Sequence, residues 1–211
     1  LFLSPEARGG GFGKFLAKAR YLFIAQHRNL VADPVCAELR GWRAPDGKQP
    51  FWESLGKLFF DMEFEDADLA NSAMGNQIIS DLMPRHPIYV ELLPEPARAV
   101  IGKVHPQGVP AMALLESEGF RPNGLVDIFD AGPTVACGRD NIRTVRDARR
   151  LKVELVDTVQ AELPALISTD SVAAFRAVRA KADIDGDIAR LTAETAAALK
   201  VRSGDTVRVK S

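Results

Sequence analysis

Three consecutive glycines, Gly9, Gly10 and Gly11, with a fourth at Gly13, stand between the apolar tripeptide of residues 1–3 and a long helical pattern. An apolar run, a glycine loop and an amphipathic helix in that order predict the end of a buried strand leading through a loop into a helix. From Lys14 onward, Phe15, Ala19, Leu22 and Phe23 recur at helical spacing, with Lys14, Lys18, Arg20 and Arg28 mostly on the other side. A glycine-rich loop that opens a helix presents backbone N–H groups to a ligand, and the helix adds positive partial charge, so phosphates are natural guests. Spacing excludes two nucleotide loops. The P-loop requires glycine, four residues, then Gly-Lys-Ser/Thr, whereas here Gly13-Lys14 is followed by Phe15 and Arg8 holds the place of the first glycine. The dinucleotide fingerprint GxGxxG, begun at Gly9 or Gly11, requires glycine where Lys14 or Leu16 stands.

A second strand is predicted at Val35–Trp42, bounded by Asp33-Pro34 and by the turn sequence APDGKQP. PFWESLGKLFF follows, with Pro50 at a helix-start position and Phe51, Trp52, Leu55, Leu58 and Phe59 as an apolar helical face. Two strand-then-helix units indicate an α/β or α+β core. Residues 65–118 read as short helices cut by Pro84, Pro87, Pro94 and Pro106, the last of them ended by Gly119. Leu125–Asp130 reads as a strand with AGPT as its turn. Near residue 147 the composition shifts. RRLKVELVD, ALIST, FRAVRAKADI and GDTVRVK are strand candidates, interrupted by a helix TAETAAALK. A boundary near Arg150 divides a domain over 1–150 from a small β-rich domain over 151–211.

Net charge of −1, with 26% charged and 46% hydrophobic residues, gives no general attraction to nucleic acid or to anionic membranes. No apolar run approaches the roughly 18 residues of a membrane span. Cys36 and Cys137 stand far apart with no CxxC and no histidine pair, so neither a metal site nor a disulfide scaffold is expected, and a reduced, cytoplasmic setting is. The chain begins on leucine with no basic-then-apolar leader, so no signal peptide is expected and the natural N-terminus is expected upstream.

Arg8, Gly11 and Gly13 spell Arg-x-x-Gly-x-Gly, which resembles the acyl-CoA pyrophosphate loop of the GNAT acyltransferase superfamily. AELRG, PFWESLGKLFF, LMPRHPIY, VIGKVHPQ, LLESEGF and DIFDAGPT, in this order and spacing over residues 1–145, resemble the arginine N-succinyltransferases of bacterial arginine catabolism. The closing GDTVRV is similar to the end of that family. Its members carry a further N-terminal stretch, so the chain is expected to be part of a longer protein. The resemblance implies a GNAT-like fold and a cytoplasmic, oligomeric enzyme, either a homo-oligomer or a pairing with a paralogous subunit. It implies transfer of succinyl from succinyl-CoA, a co-substrate rather than a bound cofactor, to the α-amino group of L-arginine. Some members accept ornithine. A non-catalytic CoA-binding subunit, and a GNAT acyltransferase for another amine, are the alternatives.

Such chemistry needs a neutral amine, a stabilised tetrahedral oxyanion and a proton for the leaving thiolate. The resemblance assigns the proton donor to His105 in GKVHPQ, where Pro106 holds the histidine backbone extended at a loop edge. His27, near the end of the first helix, reads as structural, and His86, between Arg85 and Pro87, as either a positioned or a merely turning residue. The resemblance places succinyl-CoA binding at Leu1; Arg8, Gly9, Gly10, Gly11, Phe12 and Gly13 are the candidates for the pyrophosphate. A guanidinium substrate calls for a carboxylate, for which Glu38, Glu91, Asp127 and Asp130 are candidates, and Arg40 is a candidate for a substrate carboxylate.

Overall fold

The computed structural model describes residues 3–75 and 77–211, and the strand end expected at residues 1–3 therefore lies largely outside the described residues. The chain is a mixed α/β protein. In chain order its elements are α1 (Phe12–Gln26), β1 (Val35–Glu38), a π-helical turn (Trp52–Gly56), α2 (Lys57–Phe60), α3 (Phe64–Met74), α4 (Gln77–Leu82), α5 (Glu95–Arg98) and α6 (Val109–Glu118). They continue as β2 (Arg121–Val126), β3 (Pro133–Cys137), α7 (Arg143–Asp147), β4 (Arg149–Leu155), β5 (Ala165–Thr169), β6 (Ala177–Ala180), β7 (Asp183–Asp185), β8 (Ile188–Leu191), α8 (Ala193–Leu199) and β9 (Thr206–Lys210). None of the described helices is long and apolar enough to cross a membrane.

Two compact units form, neither continuous in sequence: residues 1–35, 117–119 and 137–211 make the first, and 36–116 with 120–136 the second. In the first unit, six strands lie in the order β6-β5-β9-β4-β8-β7, antiparallel except for β4 beside β8. The strands alternate as a half-buried sheet requires: Leu151 and Val153 of β4 and Val207 and Val209 of β9 enter the core, while Arg150, Lys152 and Arg208 point away from it. Thr192 caps α8 by accepting the Thr195 N–H on its hydroxyl, and Leu199 of that helix closes the cluster. Helix α1 packs against α7, β5 and β9, and Arg208 Nη2 donates to Gln26 Oε1 at 2.8 Å. FRAVRAKADI divides into β6 and β7, and β8 is an additional strand, paired with β7 around the turn at Gly186.

Lys18 departs from its expected exposed face. Its ammonium lies 2.7 Å from Glu118 Oε1, and the other oxygen of that fully buried carboxylate accepts the Thr144 N–H at 2.8 Å. Burial is the strongest single influence on Glu118 and pushes its pKa up. The bonds from Lys18 and Thr144, with the charge of Lys18, outweigh it and hold the carboxyl below its ordinary value.

In the second unit, Trp52, Phe60, Ala67, Ile78 and Phe129 form the core, with Trp52 stacked on Phe129 at 5.4 Å. The helical face expected of Phe51–Phe59 is redistributed. A π turn over Trp52–Gly56 adds a residue to that turn, so Leu58 falls outside, at 74% exposure, and Phe60 turns inward. Gly56 permits this, since a methyl group on it would lie 2.1 Å from the Trp52 ring. The strand expected at Leu125–Asp130 sits earlier, at β2, and pairs with β3, whose first residues are the Pro133 and Thr134 assigned to its turn. The reason lies in Asp127: its carboxylate accepts the N–H groups of Phe129 at 2.8 Å and Asp130 at 3.0 Å, and this curls the chain out of the extended form.

Candidate functional site

The glycine loop has the geometry for which only glycine is suited. Gly9, Gly10 and Gly11 take φ of +102°, +54° and +80° in succession, and Gly11 becomes the residue from which α1 departs. The helix begins at Phe12, two residues before Lys14, with no side chain capping its first turn. The Phe12 N–H donates to the Gly9 carbonyl at 3.3 Å, while the next N–H groups, of Gly13 and Lys14, have no intrahelical acceptor and lie at the positive end of a fifteen-residue helix.

Beside this turn runs an open groove of about 540 Å³, lined on one side by Gly10, Gly11, Phe12 and Phe15 and on the other by Pro164 and β6. A methyl group on Gly11 would lie 3.5 Å from Arg179 Nη1, so the guanidinium stands against the glycine turn. Arg8 Nε donates to the Leu3 carbonyl at 3.4 Å, which ties the loop to the residues before it. The groove combines backbone donors, a helix terminus, one guanidinium and an apolar wall from Phe12, Phe15 and Val178. That set suits an elongated ligand with a phosphate group and an apolar arm. Leu1 lies outside the described residues.

Arg179 was not among the sequence candidates. Nothing within FRAVRAK distinguishes it from Arg176 or Lys181, and 168 positions separate it from the glycine it faces, so only strand pairing brings it there.

His105, Glu38 and Arg40 belong to the second unit, the glycine loop to the first. Within the second unit a single β-bridge, Gly41 to Val104, sets Arg40 and His105 side by side, and the His105 N–H donates to the Arg40 carbonyl at 2.8 Å. His105 adopts the extended backbone expected ahead of proline and begins the short 3₁₀ turn of residues 106–108. Its Nδ1 accepts the Gln107 N–H at 3.2 Å, which leaves Nε2 as the nitrogen that carries hydrogen in the neutral ring. Glu38 and Arg40 are exposed and flank buried Leu39, so they occupy one face of the segment. His86 is exposed, and His27 closes α1 with its ring against Phe23 at 4.7 Å, the structural role expected of it.

Asp130 is corrected as a guanidinium partner. Asp127 shapes its own turn, and Asp130 turns both carboxylate oxygens to backbone amides: Oδ2 accepts the Gly41 N–H at 2.7 Å and Oδ1 the Gly132 N–H at 2.8 Å. Burial pushes the Asp130 carboxyl above its ordinary value, only partly offset by those two bonds.

Residues 1–144 match the family described as arginine N-succinyltransferase beta subunit, and residues 149–211 match its C-terminal domain. The chain is 43% identical over 213 residues to an arginine N-succinyltransferase of Yersinia enterocolitica, covering all of this chain and 62% of that protein. It is 44% identical over 210 residues to an arginine N-succinyltransferase of Escherichia coli, covering 99% of this chain and 61% of that protein. A solved structure of arginine/ornithine succinyltransferase subunit AI from Pseudomonas aeruginosa superposes with a TM-score of 0.84 at 31% identity, over all of this chain and 60% of that one. The chain thus spans about 62% of the length of the curated relatives it matches.

Proposed function

Because the chain belongs to the arginine N-succinyltransferase beta subunit family, we propose that it carries the acyl-CoA-binding and proton-donating parts of an arginine N-succinyltransferase. In that reaction the α-amino nitrogen of L-arginine attacks the thioester carbonyl of succinyl-CoA, a C–N bond forms and the C–S bond breaks. The proton shed by the new amide nitrogen balances the one gained by the departing sulfur. The observation that carries this reading is the groove of the first unit, where the glycine turn, the start of α1 and Arg179 meet, in a chain that the family matches over almost its whole length.

In this reading Gly9, Gly10, Gly11 and Gly13 offer N–H groups to the CoA pyrophosphate, Arg8 and Arg179 add charge, and Phe12, Phe15 and Val178 support the pantetheine arm. Leu1 is read as a contact of the same co-substrate. His105 Nε2–H hydrogen-bonds the sulfur as it becomes negative and serves as its proton donor. Glu38 and Arg40, on one face of the strand segment beside His105, are read as contacts of the amino-acid substrate. Residues 1–150 are read as a GNAT-like acyl-CoA domain and 151–211 as a small β-rich domain, supported by the family boundary between 144 and 149 and by a six-stranded sheet drawn from residues 149–210. We place the protein in the cytoplasm, as a homo-oligomer or paired with a paralogous subunit.

Release of free thiol from succinyl-CoA, followed with arginine as acceptor, tests the reaction. Arginine-dependent release supports it; release with acetyl-CoA and not succinyl-CoA overturns the donor. Ornithine belongs in the same assay, since the solved relative is titled an arginine/ornithine succinyltransferase. Arg179→Ala is expected to raise KM for succinyl-CoA about five- to thirtyfold with kcat near normal, the loss of one charge-assisted contact of roughly 1–2 kcal/mol. An unchanged KM excludes Arg179 from the CoA site.

A further inference from the structure

The segment that carries His105 has little regular structure of its own. Residues 99–105 form no helix, and their partner, the isolated bridge at Gly41, is not a full strand. Their fixity comes from the turn of residues 127–132. At one end of the segment the Gly102 N–H donates to the Ala131 carbonyl at 2.9 Å. At the other, Gly41 is held through its N–H by Asp130 Oδ2 at 2.7 Å, while it bridges Val104 and its neighbour Arg40 receives the His105 N–H. The turn thus reaches the histidine segment directly at Gly102 and through one intermediate at Val104 and His105.

The approach leaves no slack. A methyl group on Gly41 would lie 2.1 Å from the Asp130 carbonyl, and one on Gly132 would lie 2.0 Å from the Leu39 carbonyl. The turn is itself rigid, because Asp127 caps it from within and Phe129 stacks on Trp52 in the core. Both oxygens of Asp130 are engaged with amides, so the side chain serves the backbone and leaves no oxygen committed to a substrate.

We propose that Asp130 is a positioning residue for His105: its carboxylate clamps Gly41 and Gly132, and through the Gly41–Val104 bridge it fixes where the histidine ring meets the reacting atoms. The inference rests on the reading of His105 as the proton donor. A side chain that orients a reacting group acts on turnover more than on binding, since a misplacement of about 1 Å costs on the order of a hundredfold.

The test uses Asp130→Asn, His105→Ala and the double variant in the intact enzyme, with kcat, KM for succinyl-CoA and thermal unfolding measured for each. Asparagine keeps the shape but can accept only one of the two N–H groups, so one glycine amide faces an NH₂. Asp130→Asn is expected to lower kcat about ten- to a hundredfold with KM for succinyl-CoA within about twofold. Its effect is expected to vanish in the His105→Ala background, because a clamp has nothing left to position. Normal kcat in folded Asp130→Asn, or the same loss with and without His105, overturns the proposal while the proton-donor reading stands. Normal turnover of His105→Ala overturns that reading and the proposal with it. If Asp130→Asn does not fold, Asp130→Glu, which keeps the charge and moves it by one methylene, carries the same expectations and the same overturning results.

Discussion

His105→Ala is expected to lower kcat by about 10²- to 10⁴-fold, the contribution that a positioned proton donor makes, while KM for succinyl-CoA stays near its normal value. The split follows from the chemistry: a proton donor acts on the sulfur as it becomes negative, so its contribution is made in the transition state rather than in binding. Removing the ring deletes one hydrogen bond, from Gln107 to Nδ1, and leaves the backbone bond from His105 to Arg40 in place, so the variant is expected to fold. Steady-state kinetics with succinyl-CoA and arginine give the answer. Near-normal kcat removes His105 from the chemistry; a large rise in KM with normal kcat makes it a binding residue instead.

The largest effect on stability is expected from Lys18→Met. Glu118 is fully buried, and its carboxylate is held by the Lys18 cation and by Thr144. Methionine fills the lysine's space and removes the cation, which leaves a buried negative charge largely uncompensated, at a cost of about 3–5 kcal/mol. Against a typical total of about 5–15 kcal/mol, that loss is visible as a markedly lower Tm. The pH dependence carries its own sign. In the unaltered protein Glu118 has a folded-state pKa below its ordinary 4.5, so its contribution is fully present above that value and disappears as pH falls through the lowered one. Without Lys18, burial acts with less opposition, the folded-state pKa rises, and the protonated variant becomes relatively more stable as pH falls. The Tm gap between the two proteins is therefore expected to narrow from pH 7 toward pH 4. A gap that is constant or widens would show that the pair is not what stabilises α1 against the 117–119 segment.

Much of the fold could be read from local pattern. The helix after the glycines, the strands at Arg149–Leu155, Ala165–Thr169 and Thr206–Lys210, and the helix at Ala193–Leu199 each declare themselves by a repeat of 3.6 or of two. The readings that failed did so where something other than the hydrophobic repeat decided the backbone, or where the repeat was too short. Leu58 was misassigned because a π turn at Trp52–Gly56 breaks the repeat, and a π turn is stabilised by the packing of Trp52 onto Gly56 and Phe129 rather than by local preference. The strand at Leu125–Asp130 was displaced because an aspartate competes for backbone N–H groups that an apolar count ignores. Ile188–Leu191 escaped notice as a strand because four residues carry too little period to stand out.

The candidate site divides along the same line. Three glycines in succession, followed at once by a helix, permit a loop of positive φ that ends at a helix N-terminus, because steric limits on φ act within a residue or two and are written in the residue types themselves. His105 before Pro106 has an extended backbone for the same reason. What surrounds those groups is set by forces that decay within a few ångströms, acting between residues brought together only when the whole chain closes. Arg179 reaches Gly11 through the pairing of β6 with β5; Lys18 finds Glu118, one hundred positions on; and Asp130 finds the amide of Gly41, 89 positions back. The chain's residue types settled where a glycine turn at a helix start and a proline-braced histidine would lie, while the cation beside the turn and the carboxylate behind the histidine exist only through long-range contact.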